Sequence, residues 1–426
     1  MKVKGISLGC KVNTYEMEFV LSQFKDKGYE ITDDVADIYI INTCSVTNTS
    51  DAKSRKVINR VVRENSEAII VVMGCMIEAN KDYSNDGVSI IIGNKDKKKV
   101  VELVEEYINN NNKSIKRLYS DFDNEFEDMF ITNMEGRTRA FVKIQDGCEN
   151  FCSYCIIPYT RGKCRSKKKE IVLEEINTLV NNGYKEIVLT GIHTGHYGED
   201  GETSFPELLR EIVKISGLKR LRISSIEITE LNDDFLDVLR NFPVIVDHLH
   251  IPLQAGSDKV LHEMNRKYDT KYFLDKINVI RSIRPDISIT TDVIVGFPGE
   301  TKEEFNETCE FSKKIGFSKI HVFPYSRRSG TKADTMPNQI DEQEKKERVQ
   351  KLMQISDELE IKYLEKFINK KVEVLVEKSI DNKSIGHTGN YLQVEISKVC
   401  DKNSLVNVII KKRSGKVLEG DIYEKY

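Results

Sequence analysis

Gly147-Cys148-Glu149-Asn150-Phe151-Cys152-Ser153-Tyr154-Cys155 sets three cysteines at a three-residue and then a two-residue gap. Such a run offers three thiolates to a centre that takes four ligands, and a position left open on a metal is a reactive one. The apolar run just before it, Ala140 to Gln145, reads as a β-strand. The triad therefore stands at a strand's carboxyl end, where α/β folds place their ligand sites. A structural zinc site is the competing reading, but zinc in that role needs four closed ligands, usually as two close pairs. No cysteine or histidine pair follows at zinc-ribbon distance. Cys164 is the nearby thiol, and no histidine lies between Cys155 and His193. The spacing favours an iron–sulfur cluster.

Outward from the triad, strand-like runs at Glu186 to Thr190, Arg220 to Ser225, His248 to Pro252, Ile287 to Val295 and Lys319 to Tyr325 alternate with helical patterns. Six strands with intervening helices predict a parallel, partial (β/α)6 barrel over residues 138–366, ending in a charged amphipathic helix from Asp341 to Lys366. Residues 1–110 repeat strand–helix units rich in Ile and Val, which predicts an open parallel α/β sheet. Cys10, Cys44 and Cys75 each follow one of its strand-like runs, so three thiols distant in sequence converge at one sheet edge and imply a second three-cysteine site. Free cysteine is also commonly just a small buried residue, the reading kept for Cys309; Cys164 and Cys400 are assigned to no site.

Residues 111–137 are polar and acidic and read as an interdomain connection, although Leu118, Phe122, Phe126 and Phe130 are evenly spaced enough to pack on the body. Residues 367–426 change period: Val372, Val374 and Val376, then Leu392, Val394 and Ile396, then Val406, Val408 and Ile410 alternate with polar residues. That pattern predicts a small antiparallel β-barrel like the oligonucleotide-binding barrels. The fold class is thus α/β multidomain.

The chain has 426 residues, nine cysteines and a formal net charge of −3, so overall charge does not mark a nucleic-acid binder. Two local clusters stand out: Arg161, Lys163, Arg165 and Lys167 to Lys169 after the triad, and Lys411, Lys412, Arg413 and Lys416 in a terminal segment with 11 basic against 8 acidic residues from Lys370 onward. A charge run alone reads first as a solvated face, and these gain weight as nucleic-acid contacts only if the chemistry points to a polyanion. The amino terminus has no signal-peptide pattern and no apolar stretch is long enough to span a bilayer. The expectation is a soluble cytoplasmic protein with reduced thiols and no membrane.

Both triads in this order resemble the radical S-adenosylmethionine (SAM) methylthiotransferases, and the likeness covers essentially the whole chain, ending in a segment similar to the small RNA-binding barrel called TRAM. It is carried by Gly9-Cys10-Lys11-Val12-Asn13, Asn42-Thr43-Cys44, Gly74-Cys75, Lys143-Ile144-Gln145-Asp146-Gly147-Cys148, Ile157-Pro158-Tyr159, His250-Ile251-Pro252-Leu253-Gln254 and Thr291 to Thr301. The Gly-Cys-Lys-Val-Asn start, Gly191-Ile192-His193 and His248-Leu249-His250 look most like the branch that modifies N6-threonylcarbamoyladenosine beside the tRNA anticodon. Ala255, Ser329 and Met76-Ile77-Glu78 depart from the family's usual residues.

The resemblance implies two 4Fe-4S clusters, one on Cys10, Cys44 and Cys75 and one on Cys148, Cys152 and Cys155. It implies replacement of an adenosine C2–H by C2–SCH3 with two SAM molecules, one giving its methyl group and one yielding a 5′-deoxyadenosyl radical. Breaking an unactivated C–H bond is cofactor chemistry. Tyr154, Gly191, Ser225, Glu227, Gln254 and Gly296, at or near strand carboxyl ends, are the candidate SAM contacts. Arg161 and Arg165 are candidate clamps for the SAM carboxylate or an RNA phosphate, and Lys411, Lys412 and Arg413 for the tRNA backbone. His193 and His196 read as a turn or substrate contact. An electron donor such as flavodoxin or ferredoxin is expected, and the sulfur donor is unknown. The alternatives are the same chemistry on another tRNA adenosine derivative or a ribosomal-protein aspartate, an iron–sulfur electron-transfer protein, and an RNA-binding scaffold holding structural zinc.

Overall fold

Ile38–Thr43 is buried at every residue, which is what a central parallel strand covered by helices on both faces demands. In the computed structural model, which describes residues 1–110, 114–201 and 203–423, this run is β3 of a six-stranded parallel sheet. Its fellows are β1 (Lys2–Ser7), β2 (Glu30–Ile31), β4 (Ile69–Gly74), β5 (Ile90–Ile92) and β6 (Lys116–Leu118), in the order β2-β1-β3-β4-β5-β6. β6 lies inside the stretch read as a connection and pairs with β5 through Ile92 and Leu118. Its sequence, Lys-Arg-Leu, is too short and too charged to announce an edge strand. Further along the same stretch, Phe122 lies over the Arg165 guanidinium, Phe126 over the Lys143 ammonium and Phe130 over that of Lys167. The even spacing of these aromatics thus stacks the segment against cations of the next module.

The central module holds β7 (Arg139–Lys143), β8 (Gln145–Asp146), β9 (Arg165–Ser166), β10 (Glu186–Thr190), β11 (Arg220–Ile223), β12 (His248–His250), β13 (Ser288–Val295) and β14 (Lys319–Pro324). β7, β10 and β11 form one parallel sheet and β12, β13 and β14 another, joined by a parallel bridge between Leu221 and Ile245. Six strands therefore follow in chain order with helices between them. β8 and β9 pair antiparallel, Asp146 opposite Arg165, and pin the base of the loop that carries the cysteine triad.

After the helix Glu342–Glu365 come β15 (Lys371–Ile380), β16 (Lys383–Thr388), β17 (Gln393–Ile396), β18 (Leu405–Ser414) and β19 (Val417–Ile422). Their pairings run β15-β16-β17-β19-β18 and return to β15. The sheet is mixed, because β17 and β19 run parallel, and this corrects the antiparallel expectation. An odd ring of strands cannot alternate direction all the way round, so one neighbouring pair has to be parallel.

One buried carboxylate ties the first two modules together. Glu16, on the helix Lys11–Asp26, meets Arg161 at 2.9 Å, Lys143 at 2.9 Å and Lys97 at 3.2 Å, all four side chains being essentially inaccessible. Arg161 also bonds Asp146 and Asn13. At the other end, Arg220 reaches Glu373 at 3.0 Å and Arg139 reaches Glu377 at 2.7 Å, fastening the terminal sheet. Among the described residues no helix is long and apolar enough to cross a membrane.

Burial would raise the Glu16 carboxyl, but Arg161, then Lys143 and Lys97, outweigh it and hold it well below the usual carboxylate range. Asp146 is lowered against its own burial by Lys143 and Arg161. Carboxyls depressed by folding add stability that is present above their unfolded pKa and is lost as pH falls. Glu16→Gln is expected to cost about 3–5 kcal/mol near neutrality, since it strands buried cations. It is also expected to flatten the loss of stability on acidification below about pH 4–5. Urea denaturation across that pH range checks both.

Candidate metal centres and the cavity beside them

Cys10 is the N-cap of the helix Lys11–Asp26, Cys44 follows β3, and Cys75 opens the helix Cys75–Ala79 directly after β4. The sheet thus delivers three thiols to one edge, where Cys75 raises the proton affinity of Cys10, and Cys75 and Cys10 raise that of Cys44. Burial pushes the Cys44 thiol up to about 11, with Cys75 and Cys10 adding to it. Cys10 opens onto solvent, yet the protein mass around it still raises its thiol, partly offset by Arg161. Thiols gathered like this repel one another as thiolates, and a bound cation reverses the balance. The donor set therefore fits a thiolate-bound metal centre with three protein ligands.

The surroundings are shaped around these thiols. Asn94 donates to Cys75 Sγ at 3.2 Å and to the Thr160 carbonyl at 2.7 Å. Asn13 donates to the Leu8 and Thr43 carbonyls while its Oδ1 lies 3.8 Å from Cys10 Sγ. Gly9 has φ +99°, and a Cβ there would stand 2.6 Å from Cys44 Cβ and 2.8 Å from its Sγ. Arg328, from the loop after β14, reaches Ser45 and Asp51 beside Cys44.

The second triad lies in the loop closed by β8 and β9. Arg266 donates to Cys152 Sγ at 3.3 Å and to Tyr268 Oη at 3.1 Å, and it pairs with Glu227. A guanidinium on a ligand sulfur favours the thiolate that a cluster needs. Burial pushes the Cys155 thiol up to about 12 and raises Cys148 further, so this set too calls for a cation. Cys148 Sγ lies 3.7 Å from His193 Nδ1. His193 and His196 stack at 3.5 Å between ring centroids and share Glu230. Burial draws His193 down to about 4 and lifts Glu230 to about 7.

Of the candidate SAM contacts, Gly191 and Ser225 line a cavity of about 760 Å³ that also receives Cys10, inward residues of the central strands, and Glu377, His387 and Tyr391 of the terminal sheet. Glu227 is engaged by Arg266, and Tyr154 lies within electrostatic reach of Arg266, Cys152 and Cys155. Gln254 holds φ +69° while bridging Val293, the kind of backbone strain that collects at functional sites. Gly296 faces the stem of Lys345, and its N–H bonds Glu300 at 2.6 Å.

The basic run after the triad is corrected. Arg161 is wholly buried on Glu16, Asp146 and Asn13. Arg165 is buried, donates to the Arg161 carbonyl and lies 3.8 Å from Asp146, and Lys167 is buried against Glu175. These are internal ties and are not free to clamp a carboxylate or a phosphate. Lys411 and Lys412 are exposed on β18, where Lys412 pairs with Glu419 at 3.1 Å, and Arg413 pairs with Glu365 at 3.0 Å. Sequence reading missed Glu16, Asn94, Arg266 and Glu230, whose roles come from partners far away in the chain.

Residues 142–312 match the family described as the Radical SAM superfamily, and residues 2–93 match the one described as Uncharacterized protein family UPF0004. Fold and site together define a radical SAM protein. A Bacillus subtilis relative named threonylcarbamoyladenosine tRNA methylthiotransferase MtaB is 45% identical, the match covering 91% of this chain and 88% of the relative. A Thermoanaerobacter relative named tRNA-2-methylthio-N(6)-dimethylallyladenosine synthase is 34% identical over 98% of this chain and 91% of its own. Among solved structures, the methyltransferase TsrM from Kitasatospora setae shares the fold with a TM-score of 0.56 at 12% identity, over 78% of this chain and 73% of that one. The chain belongs to the radical SAM methylthiotransferase family: it is a tRNA-modifying transferase whose cofactors are SAM and 4Fe-4S clusters.

Gly9→Ala is expected to displace Cys44 and lower iron and sulfide per chain after anaerobic reconstitution. Gly28→Ala, equally strained at φ +84° but with nothing within 4 Å of the new Cβ, keeps the full iron content while costing about 1 kcal/mol of stability. Metal analysis and thermal unfolding of the pair check this.

Proposed function

We propose that this protein replaces the C2–H of N6-threonylcarbamoyladenosine, next to the tRNA anticodon, with C2–SCH3. It uses two SAM molecules and two 4Fe-4S clusters, one on Cys148, Cys152 and Cys155 and the other on Cys10, Cys44 and Cys75. When bound, these groups would pass on the electron and provide the hydrogen abstraction and the methylated sulfur. The chain's residues hold and shield them: Arg266 donates to the Cys152 sulfur, Asn94 orients Cys75, and Gly191, Ser225 and Gln254 form the polar edge that receives SAM. A small donor such as flavodoxin or ferredoxin supplies the electron in the cytoplasm.

One observation carries this reading. Cys10, the carboxyl-end residues Gly191 and Ser225, and the terminal sheet share a single cavity, so a base entering it would meet the Cys10 side and the strand ends proposed to receive SAM together. In this reading residues 1–110 form the sulfur-delivering module, 111–137 its connection, 138–366 the radical SAM module, and 367–426 a TRAM-like RNA-binding barrel.

Anaerobic incubation with SAM, sulfide, reductant and tRNA bearing threonylcarbamoyladenosine is expected to yield the 2-methylthio nucleoside in digests analysed by mass spectrometry. Product only from tRNA bearing dimethylallyladenosine would overturn the substrate assignment. Lys411→Gln with Lys412→Gln is expected to weaken tRNA binding and to reduce the slope of log K against log salt by about 1 for each phosphate no longer neutralised. Both cluster contents stay unchanged.

A further inference from the structure

The cavity that receives Cys10 has a basic corner with one buried guanidinium donor left unpaired. Of its basic residues, Lys319 and Lys416 share Glu360 at 3.5 and 2.9 Å, Arg139 has Glu377, and Arg137 lies over the Phe141 ring. Lys11, the residue after Cys10, is exposed into the cavity and forms no ion pair among the described residues. Arg222 gives Nε to Glu186 at 2.7 Å and Nη2 to the Gly389 carbonyl at 3.0 Å. Its Nη1 is buried without a hydrogen-bond partner, on a side chain that is itself 3% exposed. Glu186 is shared with Arg220 at 3.6 Å, and Glu377, within electrostatic reach of Arg222, makes its ion pair with Arg139. Lys11 lies within electrostatic reach of Arg222 and Arg139 and, least strongly, of the Asp292 carboxylate. A buried guanidinium donor left unpaired is costly, and an anion in bonding distance removes that cost.

We propose that Arg222 and Lys11 form a carboxylate-binding subsite for the substituent on N6 of the substrate base. This rests on the reading of the substrate given above and extends it to the groups that choose among substrates. A threonylcarbamoyl group ends in a carboxylate, whereas a dimethylallyl group carries no charge. C2 and N6 of adenine are separated by only two ring atoms, so a base whose C2 faces Cys10 carries its N6 substituent along the same wall, where Lys11 and Arg222 stand. A site built to pair a charged group rejects the analogue that lacks it, because the site's own polar atoms are then left bare. Tyr391, whose ring lies 4.6 Å from the Arg222 guanidinium, supplies an aromatic wall to the same corner.

An anion here has three sources: the substituent carboxylate, the carboxylate of SAM, or an RNA phosphate. Reconstituted full-length protein is titrated with an anticodon stem-loop RNA bearing threonylcarbamoyladenosine and with the same RNA carrying that carboxylate as its amide. The subsite predicts that wild type binds the acid at least about tenfold more tightly than the amide. Arg222→Gln and Lys11→Gln each shrink that ratio toward one by weakening the acid alone, and Arg222→Lys recovers part of it. Lys11→Gln, at an exposed side chain, keeps the test valid if loss of Arg222 disturbs folding. Equal binding of acid and amide by wild type overturns the proposal. So does equal weakening of both RNAs by the variants, which assigns the corner to a phosphate, and so does a raised Kd for SAM with the ratio intact. The ratio is read from binding alone, so a wild type that discriminates but forms no 2-methylthio product faults the reaction assignment and leaves the subsite standing.

Discussion

The buried Glu16 carboxylate is the tie on which the geometry of both cysteine sets depends. It lies on the helix that Cys10 caps, and its partner Arg161 ends the short helix Ile157–Arg161, which begins two residues after Cys155. One ion pair thus links the two cysteine-bearing segments, and Asn13 extends it by accepting from Arg161 close to Cys10. Desolvating these charges is costly, and only several partners in good geometry repay it. A purely apolar contact would be tolerant of sliding. A carboxylate shared by two ammoniums and a guanidinium fixes one orientation of the N-terminal sheet on the central strands.

That orientation matters because the cavity proposed to receive the substrate is assembled from pieces of all three modules. The cavity takes Cys10 and Lys11 from the first, the inward residues of the central strands from the second, and Glu377, His387 and Tyr391 from the third. The terminal sheet is fastened to the strands that wall the cavity, through Arg220 to Glu373 and Arg139 to Glu377. Under the proposed function, RNA held by this sheet is presented to the chemistry by the same arginines that anchor it. This coupling of binding to positioning suits a reaction that has to reach one carbon of one base.

Much of this was legible in the sequence, for local reasons. The triads stand at strand ends because glycine-cysteine pairs and apolar runs are short-range patterns, and the parallel strands of the first two modules emerge close to where the Ile- and Val-rich runs lie. The basic run after the triad misled because a charge run shows which residues are charged and not where they face. Glu16, Asp146 and Glu175 turn Arg161, Arg165 and Lys167 inward, and two of these partners are remote or unremarkable in sequence. β6 was hidden by its charge, and the mixed direction of the terminal sheet follows from closure of an odd ring, which no single strand encodes. Arg222 gave no local signal, since its significance is one missing hydrogen bond inside a cavity.

The central claim is that the six cysteines build two independent iron–sulfur centres in one chain. Mössbauer spectroscopy of anaerobically reconstituted protein, compared with the variants in which Cys10, Cys44 and Cys75, or Cys148, Cys152 and Cys155, are all alanine, tests it most directly. The account predicts one cubane left in each triple variant and a wild-type spectrum equal to their sum. A single cubane in the wild type, or one triple variant with the full wild-type iron content, would contradict it.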